Sequence, residues 1–146
     1  MTIVPDGKDW TWVLRQPCPE CGLDTRSLSR EDIPALIAAN VAAWQPLLAA
    51  PDAARRSRPD KWSTLEYGAH VRDSLRIYDY RLGLMLTQDD PLYPNWDQDE
   101  TAVADRYDRQ DPATVAGELA VAAKLAAVAS PAASSSAATA AGSWVS

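Results

Sequence analysis

From Ile33 onward the chain spaces its apolar residues as a helix does. Ile33, Leu36, Ile37, Val41, Trp44, Leu47 and Leu48 recur at i, i+3 and i+4 intervals, which sets them along one stripe of a helix with 3.6 residues per turn. Ser29 and Asp32 precede the stripe as a weak capping pattern, and Pro34 falls near the first turn, where its missing N–H has no partner to lose. A second and more regular row, Val71, Leu75, Tyr78, Leu82, Met85 and Leu86, follows Ser63-Thr64-Leu65-Glu66. Those four residues form a full capping box, in which the serine hydroxyl and the glutamate carboxylate each satisfy an orphan backbone donor. A third row, Val115, Leu119, Ala122, Leu125 and Ala126, opens at Asp111-Pro112, an N-cap and first-turn pair.

The segments between and outside these rows lack such a period. Residues 49–62 read as a connecting loop and residues 87–98 as an ordered aromatic loop or lid, because Pro91 and Pro94 stop the second helix. A helical turn or two is expected over residues 99–109. Residues 1–28, rich in Pro, Gly, Asp and Trp, read as an irregular segment holding the turn Pro17–Gly22, with a candidate strand at residues 10–14. Residues 130–146 form a Ser/Ala tract with too little large apolar surface to offset the entropy of ordering it, and are expected to be disordered. The predicted organisation is therefore an irregular segment (1–28), a helical bundle (29–129) and a low-complexity tail (130–146). Three amphipathic stripes in succession bury one another most simply in an all-α bundle, normally closed by a fourth helix that this sequence does not supply.

Charge and composition narrow the partners. At 146 residues the chain is one domain's worth, and twenty acidic against fourteen basic side chains leave a net charge of −6, which repels a phosphate backbone. Nucleic acid is not an expected partner. The basic cluster Arg55, Arg56, Arg58 and Lys61 lies beside Pro51 and Pro59 and reads as a solvated loop. No apolar run is long enough to cross a bilayer and the first residues do not resemble a secretion signal, so the expectation is a cytoplasmic protein with no membrane partner. Two cysteines, Cys18 and Cys21, suit a reducing compartment rather than a disulfide framework.

Candidate chemistry gathers at few places. His70 lies one helical turn after Glu66 and three residues before Asp73, so the three can share one side of a helix. They form either a metal ligand with two carboxylates behind it or a hydrogen-bonded structural histidine. Cys18-Pro-Glu-Cys21 has the spacing of half a zinc ribbon, of a dithiol redox pair, and of a plain structural turn. Tyr67, Tyr93 and Trp96 are pocket candidates for a small apolar or thiol-bearing molecule, whereas Trp62 and Tyr78 read as core or staple residues. Asp97, Asp99, Glu100 and Asp105 read as a solvated helix start, since acids favour that end of the dipole. One histidine and no Gly-x-Ser-x-Gly elbow exclude a serine triad.

The segments Asp9 to Leu14, CPECGLDT (18–25), EYGAHVRDSLRIYDYRLGLML (66–86) and PLYPNWDQDE (91–100), taken in that order, resemble an actinobacterial DinB-like protein over roughly residues 9–128. The wider group includes the amino-terminal domain of mycothiol-dependent maleylpyruvate isomerase. The resemblance implies a DinB-like four-helix bundle of up-down-down-up type. It also implies a divalent metal, zinc or nickel, held by a histidine on the second helix and a His-x-x-x-His pair on the last. His70 stands at the second-helix position. The closing helix and its two histidines have no counterpart here, so the chain looks C-terminally truncated or frame-altered.

The expected function is that of a metal-binding relative of metal-dependent, thiol-dependent transferases and isomerases, with an incomplete site. Whether such a chain is an enzyme is left open, because the closing histidines are absent. Any divalent metal would be held weakly or not at all, and a low-molecular-weight thiol is the candidate co-substrate. The alternative is a non-catalytic helical module that self-associates through its open seam as a homodimer.

Overall fold

The computed structural model describes residues 3 and 9–141, apart from the side chains of residue 10 and residues 129–141. The regular structure of these residues is all helical: α1 (Ile33–Leu48), α2 (Thr64–Thr87), α3 (Gln98–Ala104) and α4 (Pro112–Ala141), with short 3-10 turns before α1 and between α3 and α4.

Local capping sets each start. The Ser29 N–H and hydroxyl donate to Asp32 Oδ2 at 2.8 and 2.9 Å. At α2 the Ser63 N–H donates to Glu66 Oε2 at 2.8 Å while Ser63 Oγ accepts from the Glu66 N–H at 3.3 Å, closing the box that the sequence predicts. Asp97 Oδ1 accepts from the N–H groups of Asp99 and Glu100, both at 2.9 Å, and Asp111 Oδ2 accepts from the Thr114 N–H at 2.8 Å.

The strand considered for residues 10–14 is a 3-10 helix instead, because the Asp9 carboxylate accepts the Thr11 N–H at 2.9 Å and turns the chain. The third predicted helix runs past Ser130 to Ala141, through the tract expected to be disordered. Alanine has the highest helix propensity, and extending a formed helix adds one hydrogen bond per residue fixed. Residues 142–146 lie outside the described residues.

Helix α4 packs against both α1 and α2. The Leu48 side chain at the end of α1 fills the space beside Gly68 near the start of α2, while Ile33, Leu36 and Ile37 face Leu75 further along. These two helices are therefore antiparallel. Gln45 Nε2 donates to the Ala116 carbonyl at 3.2 Å near the start of α4, and the turn preceding α1 also touches α4, so α1 and α4 are antiparallel as well. It follows that α2 and α4 run the same way, with residues 88–111 as the return.

The core joins Val41 and Leu48 of α1, Leu65 and Ala69 of α2, Ala102, Tyr107, and Val115, Leu119 and Ala123 of α4. Three apolar rows are buried differently from their spacing. On α2, the regular row from Val71 to Leu86 holds no fully buried residue. Val71 and Leu75 lean on the core, while Tyr78 and Met85 are exposed. The buried face is Leu65, Gly68 and Ala69, whose small residues allow α1 to approach closely. On α1, Leu36 and Leu47 are exposed, and on α4 so is Leu125. Between α1 and α2 this leaves an apolar groove of about 290 Å³ lined by Ile33, Leu36, Ile37, Asn40 and Leu75.

Candidate functional site

The turn of α2 that follows its capping box carries Glu66, His70 and Asp73 as the sequence places them, but their side chains are used separately. Glu66 is buried and faces Arg56, whose Nε donates to Glu66 Oε2 at 2.9 Å while Nη2 donates to Oε1. Burial raises its carboxyl pKa, but the Arg56 guanidinium and the Ser63 donors outweigh that and leave it below the usual range. Arg56 is thus not part of a solvated basic loop; it is an ion-pair partner brought in from the α1–α2 connection.

Asp73 is also committed. Arg72 donates to it twice, Nε to Oδ1 at 2.9 Å and Nη2 to Oδ2 at 2.8 Å. Arg76 Nη1 adds a 3.1 Å bond and the Tyr107 hydroxyl a 2.6 Å bond. Desolvation pushes the Asp73 carboxyl up, and the Arg72 and Tyr107 donors pull it down further, so it stays ionised. The same burial, with Asp73 beside it, pushes the Tyr107 hydroxyl well above its ordinary range. Arg72 continues to Gln110 Oε1 and Glu118 Oε2, both at 2.8 Å. This network joins α2, α4 and the return segment, and no composition or spacing signal marked it beyond the adjacency of Arg72 and Asp73.

His70 lies in an aromatic slot. Trp96 stacks on it with centroids 5.6 Å apart and planes 5° from parallel, and Trp62 lies 5.4 Å away on a tilted plane. Tyr67 meets Trp62 edge-on at 5.3 Å, and Trp96 is fixed by its indole N–H donating to Thr101 Oγ1 at 2.8 Å. Of the three pocket candidates, Trp96 contacts the histidine and Tyr67 is one ring removed. Tyr93 lies under the Arg81 guanidinium at 4.7 Å instead. Trp62, read from sequence as a staple, is a wall of the slot; its place immediately before the capping box was the available signal.

Within the slot, the proton on the imidazole can be located. The Ser74 hydroxyl donates to the His70 carbonyl at 2.9 Å, so at 3.5 Å from Nε2 its oxygen can only accept. That places the proton on Nε2 and leaves a bare lone pair on Nδ1, which is buried without a hydrogen-bond partner. Desolvation lowers the imidazole pKa, with Asp73 and Asp99 opposing it in part, and favours the neutral form. A neutral imidazole with a free lone pair can accept a proton, accept a hydrogen bond or ligate a cation.

As to a metal, the donor set is incomplete. Zinc sites take at least three protein ligands, whereas Glu66 and Asp73 are held by arginines, and among the described residues no three His, Cys, Asp or Glu side chains form a group able to hold an ion. Cys18 and Cys21 are free thiols, Cys18 buried and Cys21 exposed, on a turn before α1. Asp97 caps α3, as its reading as a helix start requires. Among the described residues no helix is long and apolar enough to cross a membrane. Set against protein-family models, curated proteins and solved structures, the chain finds no match.

Proposed function

We propose that this chain is a DinB-like helical protein related to metal-dependent, mycothiol-type transferases and isomerases, retaining one ligand position of that site without the remaining donors. The observation that carries this reading is the buried, unpartnered Nδ1 of His70. A buried polar atom left without a partner costs about 1–3 kcal/mol, and such atoms in folded proteins call for a functional or structural explanation. Support also comes from the helix directions: antiparallel α1 and α2, then a long return to an α4 parallel to α2, match the first three helices of an up-down-down-up bundle. His70 on the second helix is where that bundle presents its first ligand.

A divalent cation would supply Lewis acidity to a bound thiol in the complete site. The described residues do not fit a complete site, so no step is assigned to it here. What this chain's residues do is narrower. His70 offers a neutral nitrogen, Trp62 and Trp96 exclude water from it, and Ser74 orients the ring. The test is calorimetric titration with Zn²⁺ or Ni²⁺ of a chain in which Cys18 and Cys21 are serine. Weak binding that disappears in His70→Gln is expected; binding unaffected by that substitution would remove His70 from the site.

A second reading is a non-catalytic module that covers its seam with another copy. The apolar groove between α1 and α2 favours it, together with exposed Leu47, Tyr78 and Met85, since contiguous apolar surface drives association. Sedimentation over a concentration series is expected to show metal-independent dimers in that case, and a strictly monomeric chain would dismiss it.

A further inference from the structure

We propose that Cys18 and Cys21 form half of a zinc–thiolate site that two copies of this chain complete together. The segment Cys18-Pro19-Glu20-Cys21-Gly22 is a turn closed by two backbone hydrogen bonds, Gly22 N–H to the Cys18 carbonyl and Cys18 N–H to the Leu23 carbonyl, both 2.8 Å. Gly22 takes a φ of +76°, yet no atom lies within 4 Å of where its β-carbon would stand. Glycine is therefore required there by the backbone rather than by space. A turn closed twice holds its two cysteines three residues apart on a short rigid frame, which is how a two-thiolate grip on one metal is built. The N–H groups of Cys21 and Glu20 are directed at the Cys18 sulfur and hold its thiol below the usual range, as donors around metal-bound sulfur do.

The competing chemistry for such a pair is dithiol exchange, in which a helix amino terminus activates the nucleophile. Here the next element is a three-residue 3-10 turn at Thr25–Ser27, so that activation is missing. Zinc in structural sites takes four ligands, and among the described residues no third His, Cys, Asp or Glu joins the pair. The chain's one imidazole is enclosed by Trp62 and Trp96. A second copy across a two-fold axis brings the same two sulfurs, and Cys21, exposed on the surface, is where the halves meet. On binding, four thiols lose their protons to solvent, the ion sheds its waters and four metal–sulfur bonds form. No electron is transferred.

The test uses the full chain, reduced and stripped with a chelator, then titrated with Zn²⁺, or with Co²⁺ as a coloured probe, while sedimentation is followed. The expected result is saturation at one metal per two chains, a sulfur-to-cobalt charge-transfer band, and a monomer-to-dimer shift that chelator reverses. Cys21→Ser, and separately alkylation of the wild-type thiols, are expected to abolish all three. Saturation at one metal per chain without association would overturn the proposal. So would a dimer insensitive to chelator, or cobalt binding without thiolate absorption.

Discussion

Gly68 tests the packing that positions the candidate site, because two opposing effects act at one atom. In a helix interior, alanine is favoured over glycine by about 1 kcal/mol. A β-carbon at Gly68, however, would lie 2.8, 3.2 and 3.4 Å from Cδ2, Cδ1 and Cγ of Leu48. Leu48 is only 2% exposed, so its isopropyl group has nowhere to withdraw. Overpacking of this kind costs about 1–3 kcal/mol, and Gly68→Ala is expected to destabilise the chain by about 1 kcal/mol net. Leu48→Ala alone should cost about 2–5 kcal/mol, but it also empties the contested space. In that background Gly68→Ala should stabilise by about 1 kcal/mol, a reversal of sign and a coupling of about 2 kcal/mol. Urea unfolding of the four proteins, followed by tryptophan fluorescence, gives the cycle. Additivity within about 0.5 kcal/mol, the behaviour of independent sites, would refute the close approach of α1 and α2.

Three further outcomes follow from the same contacts. Arg72→Met leaves Asp73 buried with only Arg76 and Tyr107 as donors, and breaking one side of a buried pair should cost about 3 kcal/mol or more in urea unfolding; a loss under about 1 kcal/mol would mean the network is solvated. Burial holds the His70 pKa below its ordinary value of 6.5, so the unfolded chain binds the proton more readily. The stability tied to this group is complete above that pH and falls as pH drops below it towards the folded-state pKa. His70→Gln should therefore flatten the stability profile between about pH 5 and 7, and identical slopes in the two proteins would count against a buried neutral imidazole. Trp96→Ala uncovers one face of the ring and should raise the His70 pKa towards its ordinary value in an NMR titration; an unchanged midpoint would show that Trp96 does not desolvate it.

The parts of this structure legible in the sequence are the local ones. Helix starts at Ser63 and Asp111 depend on residues three apart, and spacing alone reveals them. What failed on α2 was the choice of buried face. Apolar periodicity favoured the row from Val71 to Leu86, whereas the closest packing uses Gly68 and Ala69, which carry little hydrophobic signal but permit close approach. Arg72 and Asp73 read as surface residues and are buried because each satisfies the other, and the partners Tyr107 and Glu118 lie 34 and 45 positions beyond Asp73. For the site, His70 was visible as a lone histidine among carboxylates. That Glu66 and Asp73 face arginines instead of the imidazole depends on Arg56 and Tyr107, contacts that spacing along α2 cannot express.

The most direct test of the central claim uses the fact that His70 is the chain's single histidine. In the chain with Cys18 and Cys21 replaced by serine, its ring nitrogens can be followed by ¹⁵N NMR during addition of Zn²⁺. The prediction is a proton on Nε2 before addition, then a shift at Nδ1 that grows gradually and saturates only with metal in large excess. A proton already on Nδ1, an Nδ1 signal that never moves, or saturation at one equivalent would each contradict a retained but incomplete ligand position.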